Sequence, residues 1–189
     1  MKKFELTSEF ITNIFGTKLF RIKALIEFGN VKAGELGGFV EKEENLNHEG
    51  NAWVYGNARV YGNASVCDDA RVYGNASVYG NAWVYGNARV CDDARVYGNA
   101  SVYGNARVCG DARVYGNADY ATVHGFGSEY RTTTFFKTKA GEIGVRCGCF
   151  YGNLSEFRKK VVETHGETKK AKEYLMLADL MEFRFSDNS

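Results

Sequence analysis

Three histidines, five cysteines and a recurring set of tyrosines and arginines are the residues of this 189-residue chain whose types could do chemistry. His48, His124 and His165 are the candidate general bases, because imidazole titrates near neutral pH. The spacing identifies no acid partner for any of them, so a structural or solvated role is expected. Cys67, Cys91 and Cys109 share one position of a repeating unit, and Cys147 and Cys149 flank Gly148 on a strand, with both thiols on one face. A zinc site takes about four ligands at spacings such as Cys-x2-Cys. These cysteines do not follow that pattern; packing thiols are expected, with no metal and no cofactor. Tyrosine, tryptophan and arginine are the side chains enriched at interfaces, and their periodic placement is the chemical signal that stands out.

Composition bounds the rest. The formal net charge is +1, from 24 Lys+Arg and 23 Asp+Glu, which argues against non-specific nucleic-acid binding. No apolar run approaches the length of a membrane-spanning helix. The first residues, Met1-Lys2-Lys3-Phe4-Glu5, lack the long apolar stretch of a signal peptide, so a cytoplasmic setting with reduced cysteines is expected. Proline is absent, and glycine, at 22 residues, is abundant enough to suggest many tight turns.

The elements that must position the tyrosines and arginines come from one repeated hexapeptide. From Ala52 to Ala118 every sixth residue is alanine, and from Val54 to Val114 every sixth is valine. Between them sits Trp, Arg or Ser; after valine comes Tyr or Cys, then Gly-Asn, Asp-Asp or Gly-Asp. The Ala-x-Val-Tyr segment alternates with the period of a strand, Ala and Val on one face. Gly-Asn and Asp-Asp are turn pairs that tolerate left-handed backbone angles. A strand this short cannot bury its apolar face alone, but stacked coils can.

This segment resembles the hexapeptide-repeat, left-handed parallel β-helix family, in which an aliphatic residue is followed four positions later by a small one, as Val54 is by Ala58. The resemblance implies three hexapeptides per triangular coil, hence 18 residues per coil and four coils from Ala52 to Ala121. In that register one face carries Trp53/Tyr55, Arg71/Tyr73, Arg89/Cys91 and Arg107/Cys109. The second carries Arg59/Tyr61, Ser77/Tyr79, Arg95/Tyr97 and Arg113/Tyr115, an unbroken tyrosine ladder. The third carries Ser65/Cys67, Trp83/Tyr85, Ser101/Tyr103 and Asp119/Ala121. Many members of the family are acyltransferases that use acyl-CoA with a histidine base at a coil or loop. The coils here hold no insertion and no histidine, and only His124, just beyond the last repeat, stands where such a base at a subunit edge would. The absence of threonine from residues 51–119 argues against a flat hydroxyl face for ice.

The ends depart from the repeat. Residues 1–50 read as a cap over the first coil: Lys18 to Phe28 alternates like a strand, and Phe4 to Phe15 is strand or short helix. Residues 51–121 are the β-helix, and residues 122–189 read as a small ββαα domain. Its expected strands are 132–138 and 142–150. A helix is expected from Leu154 to His165, with Asn153 and Glu156 as capping box and Gly166 as stop, and another from Lys169 to Phe183. Arg158, Lys159, Lys160, Lys169, Lys170 and Lys172 make a basic cluster there, interleaved with glutamates in the manner of a solvated, salt-bridged face. On the segments Leu36 to Leu46, Gly50 to Ala58, Phe135-Phe136 through Phe150, and Lys160 to Gly166, the whole chain resembles hexapeptide-repeat proteins found in phages, prophages and bacteria.

The expected protein is thus mainly β, a four-coil hexapeptide solenoid with a β cap and a C-terminal α/β domain. The expected function is non-catalytic binding or scaffolding, with the phage resemblance implying a role against host defence by sequestering a host protein or a nucleotide signal. The alternative is an acyl-CoA-dependent acyltransferase. Expected interface residues are Tyr61, Tyr79, Tyr97, Tyr115, Arg59, Arg95 and Arg113 on the second face and Trp83 and Tyr85 on the third. They would serve a homodimer or the family's usual trimer; no membrane is expected as a partner.

Overall fold

A computed structural model describes residues 1–127 and 129–186. The hexapeptides fold as stacked coils, each contributing a two-residue strand in which an outward residue precedes an inward valine. Strands β4 (Trp53–Val54), β7 (Arg71–Val72), β10 (Arg89–Val90) and β13 (Arg107–Val108) stack as one parallel sheet. Strands β5 (Arg59–Val60), β8 (Ser77–Val78), β11 (Arg95–Val96) and β14 (Arg113–Val114) line a second, and β6 (Ser65–Val66), β9 (Trp83–Val84) and β12 (Ser101–Val102) a third. The pairing offset is 18 residues, Arg71 lying beside Arg89 and Val66 beside Val84. The faces follow the expected 18-residue register, the third with three strands instead of four, and the chain over these residues is a β-solenoid of about four coils.

Alternation explains the core. Every repeat alanine from Ala52 to Ala112 and every repeat valine from Val54 to Val114 is buried in one apolar column. Amides of the outward residues donate to carbonyls one coil along, as from Arg59 to Ala76 (2.9 Å), Tyr61 to Val78 (3.0 Å) and Asn63 to Gly80 (2.8 Å). The ladder satisfies backbone groups that burial would otherwise leave unpaired. Gly80 shows why the turn needs glycine: its φ is +73°, and a Cβ would stand 3.0 Å from the Gly98 nitrogen of the next coil.

The N-terminal cap is an antiparallel pair, β1 (Phe4–Thr12) with β2 (Lys18–Ala24), followed by β3 (Leu36–Val40). The ambiguous first segment is therefore a strand. Strand β3 pairs antiparallel with β2 and parallel with β5, so the cap extends the second face into a seven-stranded sheet. Phe4, Ile22, Val40 and Leu46 close the apolar column. Trp53, expected on an outward face, is fully buried here, with Phe4 and Phe28 packed edge-on against its ring. Asn45, also buried, donates to the Gly62 and Ala64 carbonyls (3.1 and 2.8 Å) that the first coil leaves open.

At the other end the solenoid register stops at Val114. Asp119 and Ala121 do not form the twelfth repeat strand: Asp119 ends a 3-10 turn, and Ala121 belongs to β15 (Tyr120–Phe126). The C-terminal unit accordingly has four strands rather than two, in the antiparallel order β15, β16 (Arg131–Lys137), β17 (Ile143–Cys147), β18 (Phe150–Asn153). Consecutive side chains of β16 point to opposite faces. Phe136 joins Tyr120 in sealing the solenoid column, and Phe135 enters a separate core with Val145, Phe157 and Ala178. Helices α1 (Leu154–His165) and α2 (Lys169–Phe185) cover that sheet. The capping box is present, Asn153 accepting from the Glu156 amide (2.9 Å) and Glu156 from the Asn153 amide (2.8 Å). Gly166 caps α1 at φ +58°.

Candidate functional site

The functional candidates stand on the outside of the solenoid, where turn chemistry sets their spacing. The second turn residue forms a side-chain ladder up the corners. Asn51 donates to Asp69 (2.7 Å), Asn63 to Asn81 (3.2 Å), Asn81 to Asn99 (3.1 Å) and Asn75 to Asp93 (3.2 Å). Where glycine is replaced at the first turn position, Asp68 and Asp92 adopt φ of 58° and 59°. Their carboxylates accept the Gly86 and Gly110 amides of the next coil (2.9 and 3.1 Å). Asp-Asp is thus a second solution to the same turn: the carboxylate offsets left-handed strain with a charge-assisted hydrogen bond. The 18-residue recurrence of Asn and Asp carried this signal in the sequence.

On the second face the tyrosine ladder forms. Tyr61 stacks on Tyr79 at 4.9 Å between centroids with the rings 1° from parallel, and Tyr79 on Tyr97 at 5.1 Å and 11°. Tyr115 turns 64° against Tyr97 and is 63% exposed. Burial lifts the Tyr61 and Tyr79 hydroxyls above the ordinary phenol value, with Arg95 pulling both back. Arg59 and Arg95 are exposed beside the rings. Arg113 is committed within the chain: its guanidinium donates to the Asp93, Asp111 and Ala112 carbonyls at 3.1, 3.1 and 2.8 Å. On the third face Trp83 is 55% exposed, and Tyr85 stacks on Tyr103 at 5.3 Å. The two groups of candidate residues therefore lie on different faces and form two surfaces.

The first face differs again. Cys91 and Cys109 stack one coil apart, as expected, but they are joined as a disulfide across the coils and are not the reduced pair expected. Asp92 lies beside them, yet sulfurs bonded to each other are not thiolate ligands. Below the disulfide Arg71 and Arg89 stand side by side in the ladder, half-buried, in a groove with Tyr55, Tyr73 and Asn30. The 18-residue register held the arginine column; the wall that Asn30 provides comes from the cap and had no sequence signal.

The histidines lie apart. His48 stacks on Phe4 (4.4 Å), and its Nδ1 accepts the Lys3 amide (3.1 Å) while Nε2 faces Glu43 (3.6 Å), which ties the cap down. His124 is exposed on β15, its Nδ1 3.2 Å from the Thr132 hydroxyl, with no carboxylate beside it among the described residues. His165 stacks on Tyr174 (5.8 Å) at the wall of a cavity of about 300 Å³ that also contains Arg131, Cys147, Cys149 and Lys160. There Thr133 donates to the Cys147 sulfur (3.1 Å), and burial pushes the Tyr174 hydroxyl up to about 12. In the basic cluster Arg158 pairs with Asp179 (2.7 Å) and Glu182 (2.8 Å), and Lys160 with Glu163 (3.4 Å), so these two are neutralised locally.

Comparison with known families bears on the solenoid. Residues 52–68, 70–86, 88–104 and 106–118 match the family described as the YdcK β-solenoid repeat. Successive matches begin at Ala52, Ala70, Ala88 and Ala106, each one coil after the last, in agreement with the observed stacking offset. The chain is a β-helix repeat protein over these residues. No curated protein matches it. No helix among the described residues is long and apolar enough to cross a membrane.

Proposed function

We propose that this chain is a non-catalytic binding protein whose solenoid is a rigid display for aromatic and arginine side chains. The observation that carries the reading is the outer surface. An uninterrupted run of coils presents Tyr61, Tyr79, Tyr97 and Tyr115 as one strip, Trp83 as a separate exposed ring, and Arg71 and Arg89, without an ion-pair partner among the described residues, beside Tyr55 and Tyr73. These are the residue types that dominate recognition energy. A shaft whose backbone groups are laddered to both neighbouring coils holds them without ordering loops, which lowers the entropic cost of binding.

Two partner classes follow. The first is a second copy of the chain, since a straight strip of rings is self-complementary about a two-fold axis. The second is a captured molecule, a host protein or a phosphorylated nucleotide signal. The resemblance to phage and prophage proteins favours that capture as a counter to host defence. His124, solvated and without an acid partner among the described residues, does not favour the acyltransferase alternative. Incubating the protein with a panel of acyl-CoA donors and acceptors tests the reading. No turnover is expected, and turnover abolished by His124→Ala would overturn it.

A further inference from the structure

Arg71 and Arg89 are adjacent in a parallel ladder, Arg71 paired with Arg89 and Arg89 with Arg107. Like charges directly opposite one another weaken a sheet. The upper arginine is partly answered, its guanidinium donating to the Gly148 carbonyl at 3.5 Å. For Arg71 and Arg89 no hydrogen bond or ion pair to protein exists among the described residues. The aspartates of the shaft are used elsewhere: Asp68 and Asp92 hold amides of the next coil, and Asp69 and Asp93 accept from asparagines. Two half-buried guanidiniums therefore face a groove of about 430 Å³ with no carboxylate in ion-pair contact among the described residues.

The other walls of that groove are aromatic and polar. Tyr55 and Tyr73 precede the disulfide in the same corner column, and Asn30, on the cap loop after Gly29 (φ +52°), closes the lower side. Glu35 lies close enough to Tyr55 for its charge to raise the phenol, and its carboxylate accepts the Lys32 amide (3.1 Å). The volume falls within the range of small-molecule sites, about 300–1,000 Å³. Guanidiniums one strand spacing apart, about 4.8 Å, can each present a fork of donors to one phosphoryl group. Phenol rings beside them offer a face for a planar ring and hydroxyls for its polar edge.

We infer that the groove of Arg71, Arg89, Tyr55, Tyr73 and Asn30 binds a phosphate monoester of a small ring-bearing molecule, the nucleoside monophosphates being the simplest class. The dianion supplies the direct ion-pair partner that the two arginines lack. This rests on the binding reading above and names its site. It places the captured molecule on the first face, away from the tyrosine strip, so ligand and second copy do not compete for one surface.

Isothermal titration of the full chain with AMP, adenosine and inorganic phosphate tests it. AMP is expected to bind and adenosine to bind weakly or not at all. Inorganic phosphate is expected to bind more weakly than AMP, because it has no ring to place on the tyrosines. Arg71→Gln with Arg89→Gln should reduce AMP affinity by about tenfold or more, each lost charge-assisted pair contributing. Lys169→Gln with Lys170→Gln, exposed on α2 and away from the groove, should leave it unchanged. Circular dichroism of both variants checks that the coils persist. Absence of AMP and phosphate binding at about 1 mM, or binding equally reduced by the α2 variant, would overturn the site. Absence of binding together with absence of acyl-CoA turnover overturns this site alone and leaves the non-catalytic reading standing.

Discussion

Replacing Val84 tests the register on which every outward assignment depends. Val84 lies mid-shaft with no exposure, between Val66 and Val102 in the third sheet. Val84→Ala removes two carbon groups, about 1.6 kcal/mol at roughly 0.8 kcal/mol each. The coils above and below are held at fixed spacing by the amide ladder and cannot collapse inward, so a cavity term of about 1 kcal/mol adds to this. The expected loss is about 2–3 kcal/mol. Val84→Asp adds an unpaired carboxylate in an apolar column, several kcal/mol more, enough to melt the adjoining coils. Each coil contacts only its neighbours, so a mid-shaft lesion loses interfaces on both sides. Arg89→Ala, one coil position away and facing outward, should change stability by about 0.5 kcal/mol or less. Urea denaturation followed by far-ultraviolet circular dichroism separates these values. Equal and small changes for Val84→Ala and Arg89→Ala would refute the inward placement of the valines.

Lys3 is buried in the cap, donating to the Glu49, Gly50 and Ala52 carbonyls (3.5, 3.4 and 3.0 Å), and burial lowers its pKa from 10.5 to about 8. Between those values the unfolded chain holds more protons than the folded one, so the Lys3 contribution should rise as pH climbs from 8 to 10.5. Subtracting the melting curve of Lys3→Met across that range should show the rise, and a flat difference would contradict it. The Cys91–Cys109 disulfide predicts that native alkylation labels Cys67, Cys147 and Cys149 only; labelling of all five cysteines without reductant would deny the bond. Light scattering should show a dimer or trimer of the 21.0 kDa chain, with Tyr79→Glu and Tyr97→Glu splitting it if the stacked strip is the contact. A monomer at tens of micromolar would reject self-association.

The solenoid was legible in the residues because its determinants are local. Alanine and valine at a period of six, with glycine or aspartate where φ must be positive, state which side chains turn inward whatever lies at either end. For the same reason the cap and stop of α1, Asn153, Glu156 and Gly166, could be read directly: a helix end is satisfied by neighbours a few residues away. With the coil length that the resemblance implies, the tyrosine strip and the arginine column follow from counting. The arrangement of the ends did not follow, because it depends on contacts between residues far apart in the chain. Trp53 occupies an outward position of the repeat, yet Phe4 and Phe28 arrive from the cap and bury it. Ala118 continues the alanine spacing, but Tyr120 is drawn into the open end of the column, and the chain turns there to pair with β16 instead of closing another coil. Local pattern cannot register that competition, since both outcomes satisfy the same residues locally and differ only in which exposed sheet end is covered. The groove at Arg71 and Arg89 belongs to the same class. Its arginines and tyrosines were visible in the repeat, but whether they faced open water or a walled cavity was decided by where the cap placed Asn30.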